Sequence, residues 1–130
     1  SPDGKFLYVT RIATNDVAVA HLENQQIIAE IPVSAGHHGI DVSTDGNRAY
    51  VSGIADDVIT VIDAQSFTVI DQIKVGNGPH GLRTSYDGSI LYVAVTQTNE
   101  IVEIDTETLE ITNSIKTGNT PFWIAISGNP

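Results

Sequence analysis

Two histidines occupy equivalent positions in two glycine-bounded stretches of the chain. His38 lies in Gly-His-His-Gly at 36–39, and His80 lies in Gly-Pro-His-Gly at 78–81, forty-two residues later. Neutral imidazole binds zinc, copper and haem iron, so two such rings in one channel could contribute to a metal or haem site. Two ligands are too few for a closed zinc site. We therefore prefer the simpler interpretation, in which each histidine hydrogen-bonds a neighbouring backbone, and we predict no metal and no cofactor.

Four further candidate residues lie in or just after these two glycine-bounded stretches and the equivalent stretch one repeat later. Asp41 and Arg83 share one repeat position, and we predict that they form an ion pair across adjacent inner strands, the alternative being that both line a polar channel. Phe122 and Trp123 stand where the earlier copies have His and Gly. Their apolar bulk predicts that they plug the channel, although an aromatic pair could also stack on a ligand.

Signatures of catalysis are absent from this sequence. It has no cysteine, no Gly-x-Ser-x-Gly elbow and no phosphate-binding loop. A sugar-lactone hydrolase would need acid–base groups in the channel, and only His38, His80, Asp41 and Arg83 qualify. We therefore predict no catalytic residues and treat an enzyme as the less favoured hypothesis.

A turn motif recurs at one fixed spacing and predicts the elements that must position these residues. Ser-x-Asp-Gly begins at Ser1, Ser43 and Ser85, always forty-two residues apart, and Ser127-Gly128 begins a further copy. Asp-Gly between apolar runs is a strong hairpin signal, and a period of about 40 to 45 residues with several short strands is typical of a β-propeller blade. We predict an all-β propeller with repeats at 1–42, 43–84 and 85–126 and the start of a fourth at 127–130.

Short apolar runs between the turns predict twelve strands and no helix. The predicted strands cover 5–10, 17–22, 26–33, 40–42, 48–52, 58–63, 68–75, 82–84, 90–95, 101–105, 110–117 and 124–126. This order begins at the second strand of one blade and ends at the first strand of another, which amounts to three four-stranded blades. Propellers close with about 4–8 blades. We expect either the remaining blades of a longer chain or self-association, with residues 122–127 pairing beside 5–10 of another copy.

Two aspartates end equivalent strands and predict how the following turns are held. Asp63 and Asp105 each follow an apolar run, and an aspartate in this place accepts hydrogen bonds from the next backbone N–H groups. His21 occupies the same repeat position. We predict that it is a polar turn residue, not a ligand.

Charge and composition exclude two classes of partner. Six basic residues stand against sixteen acidic ones, and the net charge is −10, so attraction to nucleic acid or anionic lipid is not expected. No apolar run approaches the roughly 20 residues that span a bilayer. The sequence has no methionine, which predicts a piece of a longer polypeptide or a matured one.

The repeats resemble the YVTN family of β-propeller repeats. The resemblance rests on Tyr-Val after each Ser-x-Asp-Gly turn, at Tyr8, Tyr50 and Tyr92, on Val61-Ile62-Asp63, and on the stretch from Val75 to Gly81. It implies an extracytoplasmic propeller of the surface-layer or periplasmic kind, and related propellers include lactonases, amine dehydrogenase subunits and the haem d1 domain of cytochrome cd1. We predict a non-enzymatic binding scaffold that takes a protein or small-molecule ligand at its funnel, with a metal- or haem-binding propeller or a lactonase as alternatives.

Overall fold

Eleven β-strands make up the regular structure of the chain. The structure is a computed structural model that describes residues 1–127, without the side chains of His37 and His38. The strands are β1 (Phe6–Arg11), β2 (Asp16–His21), β3 (Gln26–Pro32), β4 (His37–Val42), β5 (Arg48–Gly53), β6 (Val58–Asp63), β7 (Thr68–Lys74), β8 (Pro79–Thr84), β9 (Ile90–Val95), β10 (Glu100–Asp105) and β11 (Ile111–Lys116).

These strands form three antiparallel sheets, which we call blades 1, 2 and 3. Blade 1 has the order β1-β2-β3, blade 2 has β4-β5-β6-β7, and blade 3 has β8-β9-β10-β11. Within each blade, tight turns join sequential strands, which pair as antiparallel neighbours. Residues 1–127 contain no helix, and none of the described residues therefore forms a helix that could cross a membrane. The all-β fold of partial propeller blades is confirmed.

The turns recur with the same forty-two-residue period as the sequence motif. Gly4, Gly46 and Gly88 all have positive φ, at 71°, 72° and 76°. In each turn the preceding aspartate accepts hydrogen bonds from the serine hydroxyl two residues earlier and from the backbone N–H two residues later. Glycine takes this backbone conformation without steric cost. The Ser-x-Asp-Gly motif is therefore a hairpin turn, as predicted.

The outermost strand of every blade carries a β-bulge at the same place. The register shifts between Val19 and Ala20 in blade 1, between Val61 and Ile62 in blade 2, and between Glu103 and Ile104 in blade 3. A bulge twists an edge strand and interrupts the row of N–H and C=O groups it presents. The outer edges are thus made poor templates for pairing with other sheets.

The hydrophobic core lies between the blades. One cluster joins blades 1 and 2 and includes Tyr8, Val19, Val51 and Ile62. A second joins blades 2 and 3 and includes Tyr50, Val61, Val93 and Ile104. Because both faces of a middle blade are covered, β6 is buried along almost its whole length. Its apolar residues therefore stand in adjacent pairs, Val58-Ile59 and Val61-Ile62, and do not alternate with polar ones.

The innermost strands differ from the prediction in two ways. β4 and β8 begin earlier than predicted, at His37 and Pro79, because His37 already pairs with Gly53 and Pro79 with Val95. The glycine-bounded stretches before residues 40 and 82 were expected to be loops, and most of each is strand. The strand predicted at 124–126 is wrong. An inner strand pairs with the second strand of its own blade, and the described residues contain no such strand for this segment. Residues 128–130 of the predicted fourth repeat lie outside the described part.

Candidate functional site

The inner strands of blades 2 and 3 meet at a polar contact between Asp41 and Thr84. The Asp41 carboxylate accepts hydrogen bonds from Thr84 N at 2.7 Å and from Thr84 Oγ1 at 2.8 Å. Arg83 Nη1 lies 3.8 Å from Asp41 Oδ1 and donates to the carbonyl of Leu82 at 2.9 Å. The predicted ion pair is therefore present but long, and the neutral hydroxyl and amide of Thr84 are the closer partners of the carboxylate.

His80 lies beneath the two aromatic residues of the third stretch. Its ring centroid is 3.7 Å from that of Phe122 and 5.3 Å from that of Trp123, and the Trp123 ring stands edge-on to it. His80 is only 6% exposed, whereas Trp123 is 59% exposed. Aromatic rings in tilted or edge-to-face contact attract each other. The imidazole is therefore covered by Phe122 and is almost inaccessible to solvent.

Two glycines allow the inner segments to approach this closely. A Cβ on Gly39 would collide with the carbonyl of His80, and a Cβ on Gly81 would lie 2.5 Å from the Phe122 oxygen. Gly81 N also donates a hydrogen bond to that oxygen at 2.9 Å. Glycine at this repeat position is thus required by the close approach of the next inner segment.

A cleft of about 400 Å³ opens beside the Asp41–Thr84 contact. It is lined by the polar groups of Asp41, Arg83, Thr84 and Tyr86 and by apolar residues of the last segment, among them Ile124 and Ile126. Such a mixture of a charged pair with apolar walls is typical of a small-ligand site. Of the predicted residues the cleft contains Asp41 and Arg83.

Five of the six predicted site residues therefore fall into two groups. Asp41 and Arg83 meet at the cleft, while His80, Phe122 and Trp123 form an aromatic cluster of their own. The side chain of His38 lies outside the described residues, so the expectation that its ring shares one channel with that of His80 stays a prediction. The sequence interpretation missed Thr84, although a polar residue in the place of Val42 and Ile126 was a usable signal.

A second cleft, of about 300 Å³, lies among the turns of blades 2 and 3 and was not predicted. Arg48 donates a hydrogen bond across it to the carbonyl of Thr106. Burial raises the pKa of Tyr50 at its base. Its rim carries Asp87, whose pKa is lowered to about 2 by hydrogen bonds, first from Ser85 and then from Ser89. The Asp87 carboxylate is thus engaged in its own turn.

The turn residues at the ends of the middle strands lie as predicted. Asp63 accepts from the backbone N–H groups of Gln65 and Ser66 at 2.9 and 2.7 Å, and Asp105 accepts from the equivalent pair at 2.9 and 2.8 Å. His21 Nδ1 accepts from Asn24 N at 3.4 Å. His21 is thus a polar turn residue.

Solved structures similar to this chain are also propellers. Hydrazine synthase of Kuenenia stuttgartiensis is 32% identical, with a TM-score of 0.91 over 95% of this chain and 36% of that one. Dihydro-heme d1 dehydrogenase NirN, solved in complex with DHE, is 22% identical, with a TM-score of 0.78 over 88% of this chain and 25% of that one. A functionally unknown protein from Desulfotomaculum acetoxidans is 20% identical, with a TM-score of 0.86 over 98% of this chain and 44% of that one.

This chain therefore spans between a quarter and under a half of the length of these proteins. The likeness to the latter two shows the fold alone. No curated protein matches the sequence. A family described as YNCE-like beta-propeller matches residues 2–90, which is more than half of the chain. The chain belongs to the YNCE-like β-propeller family.

Proposed function

We propose that the chain is part of a non-enzymatic β-propeller of the YVTN repeat type that acts as a binding scaffold at the cell surface or in the periplasm. The observation that carries the proposal is the use of the candidate side chains for internal contacts. Asp41 is held by Thr84, and His80 is packed under Phe122. Groups engaged in this way join neighbouring blades and are poorly placed to attack a substrate or to transfer a proton.

The ligand of the scaffold is a protein segment or a small molecule bound at the cleft beside Asp41. The cleft combines an acceptor, Asp41, and a cation, Arg83, with the apolar side chains of Ile124 and Ile126. Arg83 is half-exposed and its distance of 3.8 Å from Asp41 is long for an ion pair, so its guanidinium has donors free for a carboxylate or carbonyl. This geometry fits a ligand with a neutral carbonyl group for Arg83 and an apolar body.

A metal- or haem-binding propeller is the second candidate function, and NirN in complex with DHE is the neighbour that motivates it. Whether the residues could hold a metal or haem depends on the accessibility of the His80 imidazole. A ligating ring must present a nitrogen to the metal, whereas this ring is stacked at 3.7 Å on Phe122 and is almost fully buried. Residues 1–127, taken without the two side chains left undescribed, hold no group of three or more His, Cys, Asp or Glu suited to a metal. The described residues do not fit such a group.

The experiment is a measurement of metal and haem in the purified protein, followed by calorimetric titration with Zn²⁺ at pH 7.5. We expect no stoichiometric metal, no haem absorbance and only weak zinc binding. Stoichiometric metal or haem that is lost in His38→Ala or His80→Ala would overturn the scaffold proposal in favour of the cofactor hypothesis. A lactone-hydrolysing activity lost in Asp41→Asn would overturn it in favour of an enzyme.

A further inference from the structure

The chain crosses from blade 2 to blade 3 through Asn77-Gly78, the single Asn-Gly pair in the sequence. These residues lie between β7 and β8, and Asn77 is exposed. Asparagine is thermolabile, and it deamidates fastest before glycine, because glycine has no side chain to hinder attack by its own backbone nitrogen. The crossover between the two blades therefore contains a chemically reactive pair in contact with water.

The reaction needs only the chain and water. The backbone nitrogen of Gly78 gives up its proton and bonds to the side-chain carbonyl carbon of Asn77. The bond from that carbon to the amide nitrogen breaks, and ammonia leaves with the proton. Water then opens the cyclic imide at one of its two carbonyls, and the product is aspartate or isoaspartate.

Asp57 holds the nitrogen that would attack. Gly78 N donates a hydrogen bond to Asp57 Oδ1 at 3.0 Å, and a bond of this kind to a carboxylate is stronger than one between neutral groups. The N–H must leave this contact before it can lose its proton and approach the Asn77 side chain, as an amide must open before its hydrogen exchanges. The contact therefore opposes deamidation at its first step.

Blade 3 holds the other side of the same peptide. The Gly78 carbonyl accepts hydrogen bonds from Thr96 N at 2.9 Å and from Thr96 Oγ1 at 2.7 Å, and the Asn77 carbonyl accepts one from Gln97 N at 3.2 Å. A Cβ on Gly78 would lie 2.6 Å from Thr96 Oγ1. Close packing of the crossover thus requires the same glycine that makes Asn77 reactive.

The neighbouring repeats keep the hydrogen bonds and lack the reactive pair. The crossover from blade 1 to blade 2 has Ala35 and Gly36 at these two positions. After blade 3, Thr120 stands in the place of Gly78 and Asn99 in the place of Asp57. Thr120 N donates to Asn99 Oδ1 at 2.7 Å, so an amide oxygen can make the contact that Asp57 makes.

We propose that Asn77 is a deamidation site and that Asp57 is the residue that protects it in the folded chain. Deamidation would place a new carboxylate one residue from the nitrogen that Asp57 holds, and like charges so close repel each other. Isoaspartate would also lengthen the backbone of the crossover, so that modification would loosen the junction of blades 2 and 3. The proposal stands apart from the proposed function, because it concerns the crossover and not the cleft beside Asp41.

The test follows deamidation of the whole 130-residue chain in mildly alkaline buffer, by mass spectrometry of the proteolytic peptide that contains residue 77. We expect the folded chain to react at least about tenfold more slowly than the same chain unfolded in urea. Asp57→Ala should remove most of this protection, and Asp57→Asn should keep it, since its amide oxygen can accept as that of Asn99 does. Asn77→Ala, which copies residue 35, should show no deamidation of residue 77.

Asp105→Ala is the control for a general loss of stability, because it removes a turn acceptor elsewhere in the chain. It should leave the rate at Asn77 unchanged. Thr96→Val, which loses the hydroxyl bond to Gly78, should also speed the reaction and replaces Asp57→Ala if that variant fails to fold by circular dichroism. Equal rates in the folded and the urea-unfolded chain, or equal rates in Asp57→Ala and Asp57→Asn, would overturn the proposal, as would an equal acceleration by Asp105→Ala.

Discussion

Asp41 on β4 binds both the backbone N–H and the hydroxyl of Thr84 on β8, at 2.7 and 2.8 Å, and so joins the inner strands of two blades. The repeat position of Thr84 is Val42 in the preceding copy and Ile126 in the following one. Among the described residues, this contact is therefore made once. It links the inner strands of blades 2 and 3.

Removal of the Asp41 carboxylate should weaken the fold. Asp41→Ala leaves the Thr84 N–H and hydroxyl without their acceptor, and hydrogen bonds to a charged group contribute about 1.5–3 kcal/mol. We expect a loss of about 2 kcal/mol in the free energy of unfolding by urea denaturation. Asp71→Ala is the control, since the carboxylate of the exposed Asp71 accepts a hydrogen bond from the adjacent backbone N–H of Gln72 and so joins no blades. Equal effects of the two substitutions would contradict the linking role.

The turn glycines should tolerate no β-branched side chain. Gly46 and Gly88 have φ of 72° and 76°, a region that costs such residues about 1–3 kcal/mol. Gly88→Val should be the more damaging, because its Cβ would also meet Thr44 Oγ1 at 2.7 Å. Chemical denaturation gives both values, and Gly118→Ala, which meets no atom within 4 Å, is the control. An unchanged midpoint for Gly88→Val would contradict the turn geometry.

Gln25 and Phe67 occupy the same repeat position. Substitution of each by asparagine should change the stability of the chain in opposite directions. Gln25 and Phe67 both have positive φ, at 53° and 56°. Phe67 packs on Phe6 and Tyr8 across the seam between blades 1 and 2, with ring centroids 5.6 and 6.5 Å away, whereas Gln25 is exposed. Asparagine tolerates this conformation.

We therefore expect Gln25→Asn to stabilise the chain by about 0.5–1 kcal/mol, since it relieves strain and loses no buried contact. Phe67→Asn should destabilise it by about 2 kcal/mol, because the lost apolar burial exceeds the relieved strain. Thermal unfolding of the two variants decides the matter. Shifts of the same sign would show that packing of Phe67 does not offset its backbone conformation.

The turn aspartates make stability depend on pH in the acid range. Hydrogen bonds from Ser85 and Ser89 lower the pKa of Asp87 from 3.8 to about 2. Because the folded-state pKa lies below the unfolded one, the stabilising contribution is present in full above about pH 4 and is lost as pH falls toward 2.

Asp87→Asn should therefore have a lower Tm than the unaltered chain at pH 7, and the difference should shrink between pH 4 and pH 2. Scanning calorimetry at several pH values measures both. Glu107→Gln, which removes an exposed carboxylate, is the control for the loss of one negative charge. A difference in Tm that stays constant down to pH 2 would show that the charge of Asp87 does not support the turn.

Periodicity in the sequence was enough to predict the architecture. The recurrence of Ser-x-Asp-Gly predicted the hairpins, because glycine accepts the positive φ that such turns require. Asp63 and Asp105 predicted the hydrogen-bonded turns that follow the middle strands. These features depend on contacts within a few residues. Local contacts of this kind are readable from the order of residues alone.

Only the tertiary structure decided what the candidate residues do. Asp41 was expected to pair with Arg83 and instead holds Thr84 more closely, and His80 was considered as a ligand but lies under Phe122. The segment at 124–126 reads as a strand, yet a strand needs a neighbouring backbone to complete its hydrogen bonds, and the described residues supply none. Which partner a side chain bonds, and how deeply it is buried, depend on the distances between blades whose residues are about forty positions apart in sequence. Periodicity places those residues in register. It does not set the distances between their atoms.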